Sequence, residues 1–274
     1  MTGPVPSRSP AVPAARWSDD PTVDVEVPLP GGNVGGAVRV GDTVRRPTGP
    51  WTPAVHELLR FLADAGLPHV PRVLGIDDQG REVLTFLPGR VVEIGVEELT
   101  DGQVRSAMRW LREYHAVVRG FPRDRRRWRF VDRALEVGEI LCHHDTAMYN
   151  LAFDGDELAG VFDWDVAGPG VPLDDVAMFA WNSPLLRLGD DPVAAAHGLR
   201  VVADGYGGLD PASLLDHVLV RMTQACDRIE QGQRAGDPGM LRLGEIGEPA
   251  STRSRLAVLR ERVPAVRAEL ARTA

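Results

Sequence analysis

The stretches CHHDTAMYN, residues 142–150, and GVFDWD, residues 160–165, decide the interpretation of this sequence. They contain three polar side chains in a defined order, Asp145, Asn150 and Asp163. Asp145 stands five residues before Asn150 and eighteen before Asp163. Any one of these aspartates would be ordinary in a cap or a turn, so the interpretation depends on the spacing of all three residues.

A β-hairpin is predicted between Asn150 and Asp163. Two short apolar runs, at residues 151–153 and 158–162, flank the turn-forming segment DGDE at 154–157. A hairpin returns the chain to the point where it left the preceding loop. We therefore expect polar side chains that are distant in the sequence to share one site.

The residue types at this expected site suit the transfer of a phosphoryl group. Such a transfer needs a base that orients the acceptor hydroxyl, oxygen ligands that hold Mg²⁺ on the phosphates, and positive charge that balances the transferring group. Asp145 suits the base. The Asn150 amide oxygen and the Asp163 carboxylate suit Mg²⁺, which prefers oxygen ligands.

The pattern His-x-Asp-x-x-x-x-Asn, followed by a hairpin and an aspartate, is similar to the catalytic loop of protein kinases. The fuller form His-His-Asp…Asn…Val-Phe-Asp-Trp-Asp more closely resembles the aminoglycoside phosphotransferase family, which includes antibiotic kinases and kinases of other small metabolites. The resemblance extends over residues 28–230 and is specific over 141–181. It implies an α+β, two-lobed, protein-kinase-like fold with a small β-rich N-lobe and a larger, mostly helical C-lobe.

The resemblance also implies roles for the three polar residues. Asp145 corresponds to the catalytic base, and Asn150 and Asp163 correspond to the magnesium ligands. The implied co-substrate is ATP or GTP, and the implied acceptor is a hydroxyl group of a small molecule. The role of Asp165 stays open: it is either a second acid behind the metal site or an aspartate of a turn.

Residues around the catalytic loop are expected to support it. Asp175, in the run PLDDVA at 172–177, matches the family aspartate that braces the loop backbone. His143 is expected to organise the loop through hydrogen bonds rather than to transfer protons, and no role is assigned to His144. His115 lies on an apolar helical stripe and is interpreted as a core histidine.

The domain boundaries follow from composition and periodicity. Residues 1–24, rich in Pro, Ala and Ser, are expected to form a disordered tail. Residues 25–87 predict the N-lobe, with short strands and one helix over 52–65, and residues 88–274 predict the C-lobe. In the C-lobe, Thr100 and Gln103 form a capping-box pattern that predicts a helix start, and a further helix is predicted from about Ser213.

The nucleotide contacts are predicted from the N-lobe. Gly32 and Gly35 lie in a glycine-rich segment between strands, whose backbone N–H groups would cover the phosphates; a plain flexible hairpin is the alternative. The hinge that reads the nucleobase is expected at residues 85–87, including Thr85 and Leu87.

The cation that pairs with the phosphates has to be an arginine, because the sequence contains no lysine among its 31 basic residues. Alignment with the family strand favours Arg45, and a slip of one residue selects Arg46. Glu57, on the following helix, is a candidate partner for that arginine, with a solvated helix position as the alternative. His56 competes for the same position.

Composition limits the partners. The net charge of −8 argues against nucleic acid, and no apolar run approaches the roughly 20 residues that a membrane span needs. The N-terminus shows no secretory signal, and Cys142 and Cys226 are too few for a disulfide framework. We therefore expect a cytoplasmic protein with buried thiols.

Three functions remain open from the sequence alone. The acceptor is either an aminoglycoside or another metabolite such as an amino alcohol or a sugar. Asp216, Asp227 and Glu230 would bind amines in the first case, although a solvated helix face also explains them. The third alternative is a nucleotide-binding pseudokinase that regulates a partner, which the missing lysine favours and the complete set of three catalytic-loop residues opposes.

Overall fold

A computed structural model describes residues 25–29, 36–93, 96–182 and 191–272. The predicted tail at 1–24 and most of the glycine-rich segment, including Gly32 and Gly35, lie outside the described residues. Within the described part of the chain, no helix is both long and apolar enough to cross a membrane.

The strands are short, and the helices lie mostly in the second half of the chain. The strands are β1 (Val27–Pro28), β2 (Val38–Val40), β3 (Thr43–Pro47), β4 (Val73–Ile76), β5 (Arg81–Thr85), β6 (Arg90–Val91), β7 (Arg126–Arg127), β8 (Asp132–Arg133), β9 (Ile140–Cys142), β10 (Leu151–Asp154), β11 (Glu157–Val161) and β12 (Gly168–Gly170). The helices are α1 (Thr52–Asp64), α2 (Asp101–Val118), α3 (Pro172–Asn182), α4 (Pro192–Tyr206), α5 (Pro211–Arg234), α6 (Pro238–Glu245) and α7 (Ala250–Arg272).

The first five strands form an antiparallel sheet in the order β1-β2-β3-β5-β4. Gly41, with φ of +56°, makes the tight β2–β3 turn that favours glycine. The following helix α1 carries Pro53 in its first turn, where the missing N–H costs nothing. Its apolar stripe is buried, with Leu58 and Leu59 fully enclosed.

Helix α2 begins as predicted. The Thr100 hydroxyl accepts a hydrogen bond from the Gln103 backbone amide, and Gln103 Oε1 accepts one from the Thr100 backbone amide, which completes the capping box. Its buried face contributes Trp110 and Tyr114 to the core that lies under the catalytic loop.

Two short β structures hold the ends of the catalytic loop. Strand β9 enters the loop and pairs with β12, so that Cys142 lies opposite Gly168. Strands β10 and β11 form the predicted hairpin after the loop, and β6 pairs with β10 on its other edge. Residues 142–170 therefore fold back on themselves.

Helices α3 and α5 contact the loop through Asp175 and Arg221, and α7 packs against α5. Asp210 caps α5 by accepting from the amides of Ala212 and Ser213, which places the helix start two residues before the predicted Ser213. The antiparallel N-terminal sheet and the helical second half confirm the α+β, kinase-like fold. A domain boundary at residue 87 stays a prediction.

Candidate active site

Asp145 lies at the centre of the loop, and two neighbours hold its side chain. The Tyr149 hydroxyl donates to Asp145 Oδ1 at 3.0 Å, and Asn150 Nδ2 donates to Asp145 Oδ2 at 2.8 Å. The same Asn150 nitrogen also lies 2.9 Å from the Asp145 carbonyl oxygen. The amide of Asn150 is thereby fixed with its nitrogen towards Asp145, which leaves its oxygen as an acceptor. Tyr149 had no predicted role; its only signal in the sequence is its place four residues after Asp145.

Asp175 is fully buried and holds the loop backbone from below. Its carboxylate accepts from the amides of His143 and His144 at 2.9 and 2.6 Å and lies 3.1 Å from His115 Nε2. Burial alone would raise the pKa of Asp175, but the hydrogen bond and charge of His115, with the charges of the other histidines, hold that pKa well below its ordinary value. His144 has a φ of +66°, an uncommon conformation for a non-glycine residue that these bonds maintain.

We expect Asp175→Asn to lower the free energy of unfolding by about 3 kcal/mol at neutral pH, because an amide cannot accept from all three donors. The depressed pKa means that the carboxylate stabilises the fold above its ordinary pKa of 3.8 and loses this effect as the pH falls below that value. Urea unfolding should therefore show a difference in the free energy of unfolding between the wild type and Asp175→Asn at neutral pH. This difference should become smaller below about pH 4. Asp204→Asn, at an exposed position of α4, is the matched control. A difference that stays constant as the pH falls would contradict the assignment of Asp175 as an ionised, hydrogen-bonded carboxylate.

His143 connects the loop to the segment that carries Asp163. The Asp145 amide donates to His143 Nδ1 at 3.2 Å, so Nε2 carries the proton and donates to the Phe162 carbonyl at 3.1 Å. Its ring packs against Trp164, with centroids 4.5 Å apart. Burial lowers the pKa of His143, which favours the neutral ring. These contacts are those of a positioning residue.

Asp163 follows the hairpin in a left-handed conformation, with φ of +62°. Its Oδ1 accepts from Arg46 Nη2 at 2.9 Å, and the same nitrogen lies 2.7 Å from Asp165 Oδ2. Arg46 Nε also lies 3.1 Å from Glu82 Oε1. One guanidinium group of the N-terminal sheet therefore contacts three carboxylates. Burial would lower the pKa of Arg46, but these acids raise it above its usual value.

Arg46, and not the favoured Arg45, is the arginine of β3 that lies at Asp163. Successive side chains of a strand point to opposite faces, and the register pairs Arg46 with Glu82 and Arg45 with Val83. Arg46 is thus the strand arginine next to the predicted metal ligand, and which of the two arginines contacts the phosphates stays a prediction. Sequence alignment could not fix this register, because both positions hold the same residue type.

Glu57 is not the partner of the strand arginine. Its carboxylate pairs instead with Arg126, at 2.7 Å from Nε and 2.5 Å from Nη2. The acid beside Arg46 is Glu82 on β5, and His56 Nε2 of α1 lies 2.8 Å from Glu82 Oε2. Sequence reasoning missed Glu82, because its proximity to Arg46 arises only from sheet pairing.

Asp165 has a second arginine neighbour that the sequence did not indicate. Burial raises the pKa of Asp165, and Arg46 opposes this rise. Arg129 Nη1 lies 3.7 Å from Asp165 Oδ2, and the Arg129 side chain is 2% exposed. Arg129 also binds Asp237 through two bonds of 3.0 and 2.7 Å. Because Asp237 caps α6, this pair links the C-terminal helices to the residues beside Asp163.

Two of the described residues could hold a divalent cation. Asn150 presents an amide oxygen, since its nitrogen is committed to Asp145, and Asp163 presents a partly exposed carboxylate. Both are hard oxygen donors of the kind that Mg²⁺ prefers. The donor set therefore fits the ion that the sequence predicts.

The expected hinge lies at the end of β5. The Thr85 amide donates to the Arg72 carbonyl, and the Thr85 hydroxyl accepts from the Arg72 amide at 2.8 Å. Leu87 packs against Gly160 of the hairpin, where an added Cβ would lie 2.9 Å from Leu87 Cβ. Thr85 and Leu87 thus lie where the sheet meets the hairpin, and their nucleobase contacts stay a prediction.

Comparison with known proteins identifies the family. A sequence model described as the phosphotransferase enzyme family matches residues 43–140 and 137–212. The chain belongs to this family. It is also 32% identical over 197 residues to the trifolitoxin immunity protein of Rhizobium leguminosarum bv. trifolii, a match that covers 66% of this chain and 74% of that protein.

Solved structures of small-molecule phosphotransferases share the fold of this family member. One is aminoglycoside 2'-phosphotransferase-IIIa in complex with GDP, at 16% identity and a TM-score of 0.55, covering 90% of this chain and 94% of that chain. Another is the amicoumacin kinase hAmiN in complex with AMP-PNP, Ca²⁺ and Ami, at 14% identity and a TM-score of 0.52, covering 87% of each chain. These likenesses show that this phosphotransferase family member has the fold of those enzymes.

Proposed function

We propose that this phosphotransferase moves the γ-phosphate of ATP or GTP to a hydroxyl group of a small molecule, with Asp145 as the catalytic base. The observation that carries the proposal is the convergence of Asp145, Asn150 and Asp163 at one site, with Asp145 hydrogen-bonded to Asn150 and Asp163 engaged by an arginine of the N-terminal sheet. The test is an assay of nucleotide consumption against a panel of hydroxyl-bearing compounds.

The raised pKa of Asp145 supports its proposed role as the base. Burial and the negative charge of Asp163 raise the pKa of its carboxyl group to about 7, although the hydrogen bonds from Tyr149 and Asn150 oppose the rise. A base is most effective when its pKa lies near the working pH. The acceptor hydroxyl would give its proton to Asp145 as its oxygen bonds to the γ-phosphorus, and the bond from that phosphorus to the bridging oxygen of the diphosphate would break.

Asn150 and Asp163 would hold Mg²⁺ through the amide oxygen and the carboxylate. When bound, the ion would neutralise charge on the phosphates. Arg46 is the candidate phosphate cation, because it is the β3 arginine that faces this site. Arginine is always charged and can bind a phosphate through two N–H groups.

We expect Arg46→Ala to raise the KM for nucleotide by about 10- to 100-fold, because a charge-assisted contact to the phosphates is lost. Arg46→Lys should recover part of this loss, since it keeps the charge but not the two-point geometry. Arg45→Ala, which alters the opposite face of the same strand, is the matched control and should leave the nucleotide KM within about twofold of the wild type. Steady-state kinetics with ATP and GTP would measure all three. If Arg45→Ala were the impaired variant, the assignment to Arg46 would be wrong.

A second candidate acceptor is a toxin. The relative that is 32% identical is named an immunity protein for trifolitoxin, and phosphorylation of a toxin hydroxyl is one chemistry by which a phosphotransferase can confer immunity. Expression of this chain in a trifolitoxin-sensitive strain, beside an Asp145→Asn variant, would test it. Protection by both proteins would show that immunity does not require phosphoryl transfer.

A further inference from the structure

Two arginines of α5 lie beside the catalytic loop and have no part in the mechanism above. Arg221 and Arg228 are seven residues apart, two helical turns, so their side chains share one face of the helix. Arg221 is 2% exposed and donates from Nη2 to the His144 carbonyl at 2.8 Å. That bond places a buried cation one residue from Asp145. Arg228 is half-buried.

Arg221 has buried donors without partners in the described part of the chain. Its Nε and Nη1 make no hydrogen bond to any described residue. The guanidinium group of Arg228 lies over the ring of Phe130, at 5.2 Å from the centroid, and no ion pair joins it to a described carboxylate. Buried charged donors without partners cost free energy, so this arrangement is typical of a site completed by a ligand.

The electrostatics of the pair favour an anion. Burial and repulsion from Arg221 lower the pKa of Arg228 to about 9, although the negative charges of Asp174 and Asp145 oppose the shift. Arg228 is still a cation at neutral pH. The nearby Asp174 already accepts from His217 at 2.8 Å and from the Val171 amide at 3.0 Å.

The acids that would bind a polycationic acceptor are largely neutralised. Glu230 of α5 pairs with Arg253 at 2.6 Å and with Arg234 at 3.2 Å. Asp216 pairs with Arg267 of α7. Two of the three acids that the sequence offered for amine recognition are therefore committed to arginines, whereas the arginines next to Asp145 are not committed to acids.

We propose that Arg228, backed by Arg221, binds an anionic group of the acceptor, a carboxylate or a phosphate, and thereby presents the acceptor hydroxyl to Asp145. The inference deepens the proposed function and depends on it. The acceptor class is then an anionic or zwitterionic alcohol, not a polycationic aminoglycoside. Arg221 is a positioning residue that holds the His144 carbonyl and adds positive charge behind the ligand.

The test compares matched acceptors that differ only in the anionic group. N-acetylserine and glycerate represent carboxylates, with N-acetylserinamide and glyceramide as their neutral counterparts. Glycerol phosphate with glycerol forms the phosphate arm, and kanamycin represents a polycation. We expect phosphate transfer to the anionic member of at least one pair with a kcat/KM at least about 10-fold above its neutral partner. The pair with the larger ratio of anionic to neutral kcat/KM shows whether the site prefers a carboxylate or a phosphate.

Arg228→Gln should raise the KM for the anionic acceptor by about 10- to 100-fold. The ratio of kcat/KM for the anionic acceptor to that for its neutral counterpart should fall towards one. Arg234→Gln, an exposed arginine on the same helix, is the matched control and should keep the wild-type preference. Thermal stabilisation by Mg²⁺ and ATP should be retained in both variants, which shows that they are folded.

Other outcomes overturn the inference. Equal or better use of the neutral compounds or of kanamycin would do so, and so would an unchanged preference in Arg228→Gln. If no compound is phosphorylated, thermal stabilisation by the anionic compounds decides: stabilisation of the wild type but not of Arg228→Gln supports the site, and its absence rejects it. Failure of the proposed function is separate, since it would remove nucleotide consumption by the wild type with every acceptor, whatever the anionic compounds do to its thermal stability.

Discussion

Replacing Asp145 by asparagine is expected to reduce kcat by about 10²- to 10⁴-fold, the contribution typical of a general base. Asparagine cannot take the proton of the acceptor hydroxyl, and its single oxygen cannot accept from both Tyr149 and Asn150, which bind different oxygens of Asp145. The orientation of the loop is therefore weakened together with the base. Steady-state kinetics with any accepted substrate would measure the loss.

Binding of Mg²⁺ and nucleotide is the internal control for this variant. Asp163 and the acids around Arg46 are unchanged, so the thermal stabilisation by Mg²⁺ and ATP should remain close to that of the wild type. Tyr149→Phe removes one hydrogen bond to the same carboxylate and should cost far less, because the base remains. Full turnover of Asp145→Asn would reject the assignment of the base.

Asp163→Ala is expected to abolish magnesium-dependent nucleotide binding. The metal would lose its only assigned carboxylate, and Arg46 would remain engaged with Glu82 and Asp165. At a nucleotide concentration about 100-fold above the Kd, the wild type should gain about 2.7 kcal/mol of stability from the ligand. The variant should gain almost none.

Thermal unfolding with and without Mg²⁺ and ATP measures this difference, and Asp165→Ala is the informative comparison. Asp165 lies on the same short turn but is more enclosed and contacts both Arg46 and Arg129. If Asp165→Ala loses the stabilisation and Asp163→Ala keeps it, the metal ligand is Asp165.

The catalytic loop shows how much of the site the sequence could predict. The spacing of Asp145 and Asn150 and the hairpin to Asp163 are local features. Residue spacing predicts such features because the residues involved are close in the sequence. The capping box of α2 and the apolar stripe of α1 were predictable for the same reason. These elements, with the family resemblance, were enough to assign the α+β kinase-like fold.

The residues that the sequence missed depend on contacts between distant elements. Arg46 differs from Arg45 only through strand register, and Glu82 reaches it only through sheet pairing. Glu57 stood on the expected helix, but its partner is Arg126 of strand β7. Arg129 and Arg221 each carry a charge that sequence patterns assign to a solvated surface, yet both are buried. Only the packed structure reveals that burial.

The cluster around Arg46 has a thermodynamic consequence. With all its groups ionised, Glu82, Asp163 and Asp165 carry three negative charges against the one positive charge of Arg46. The excess of two matches the charge of a divalent ion, and an ion on Asp163 would weaken the hold of that carboxylate on the guanidinium group. Metal and nucleotide would then bind cooperatively, each raising the affinity for the other by the same factor, as linkage requires.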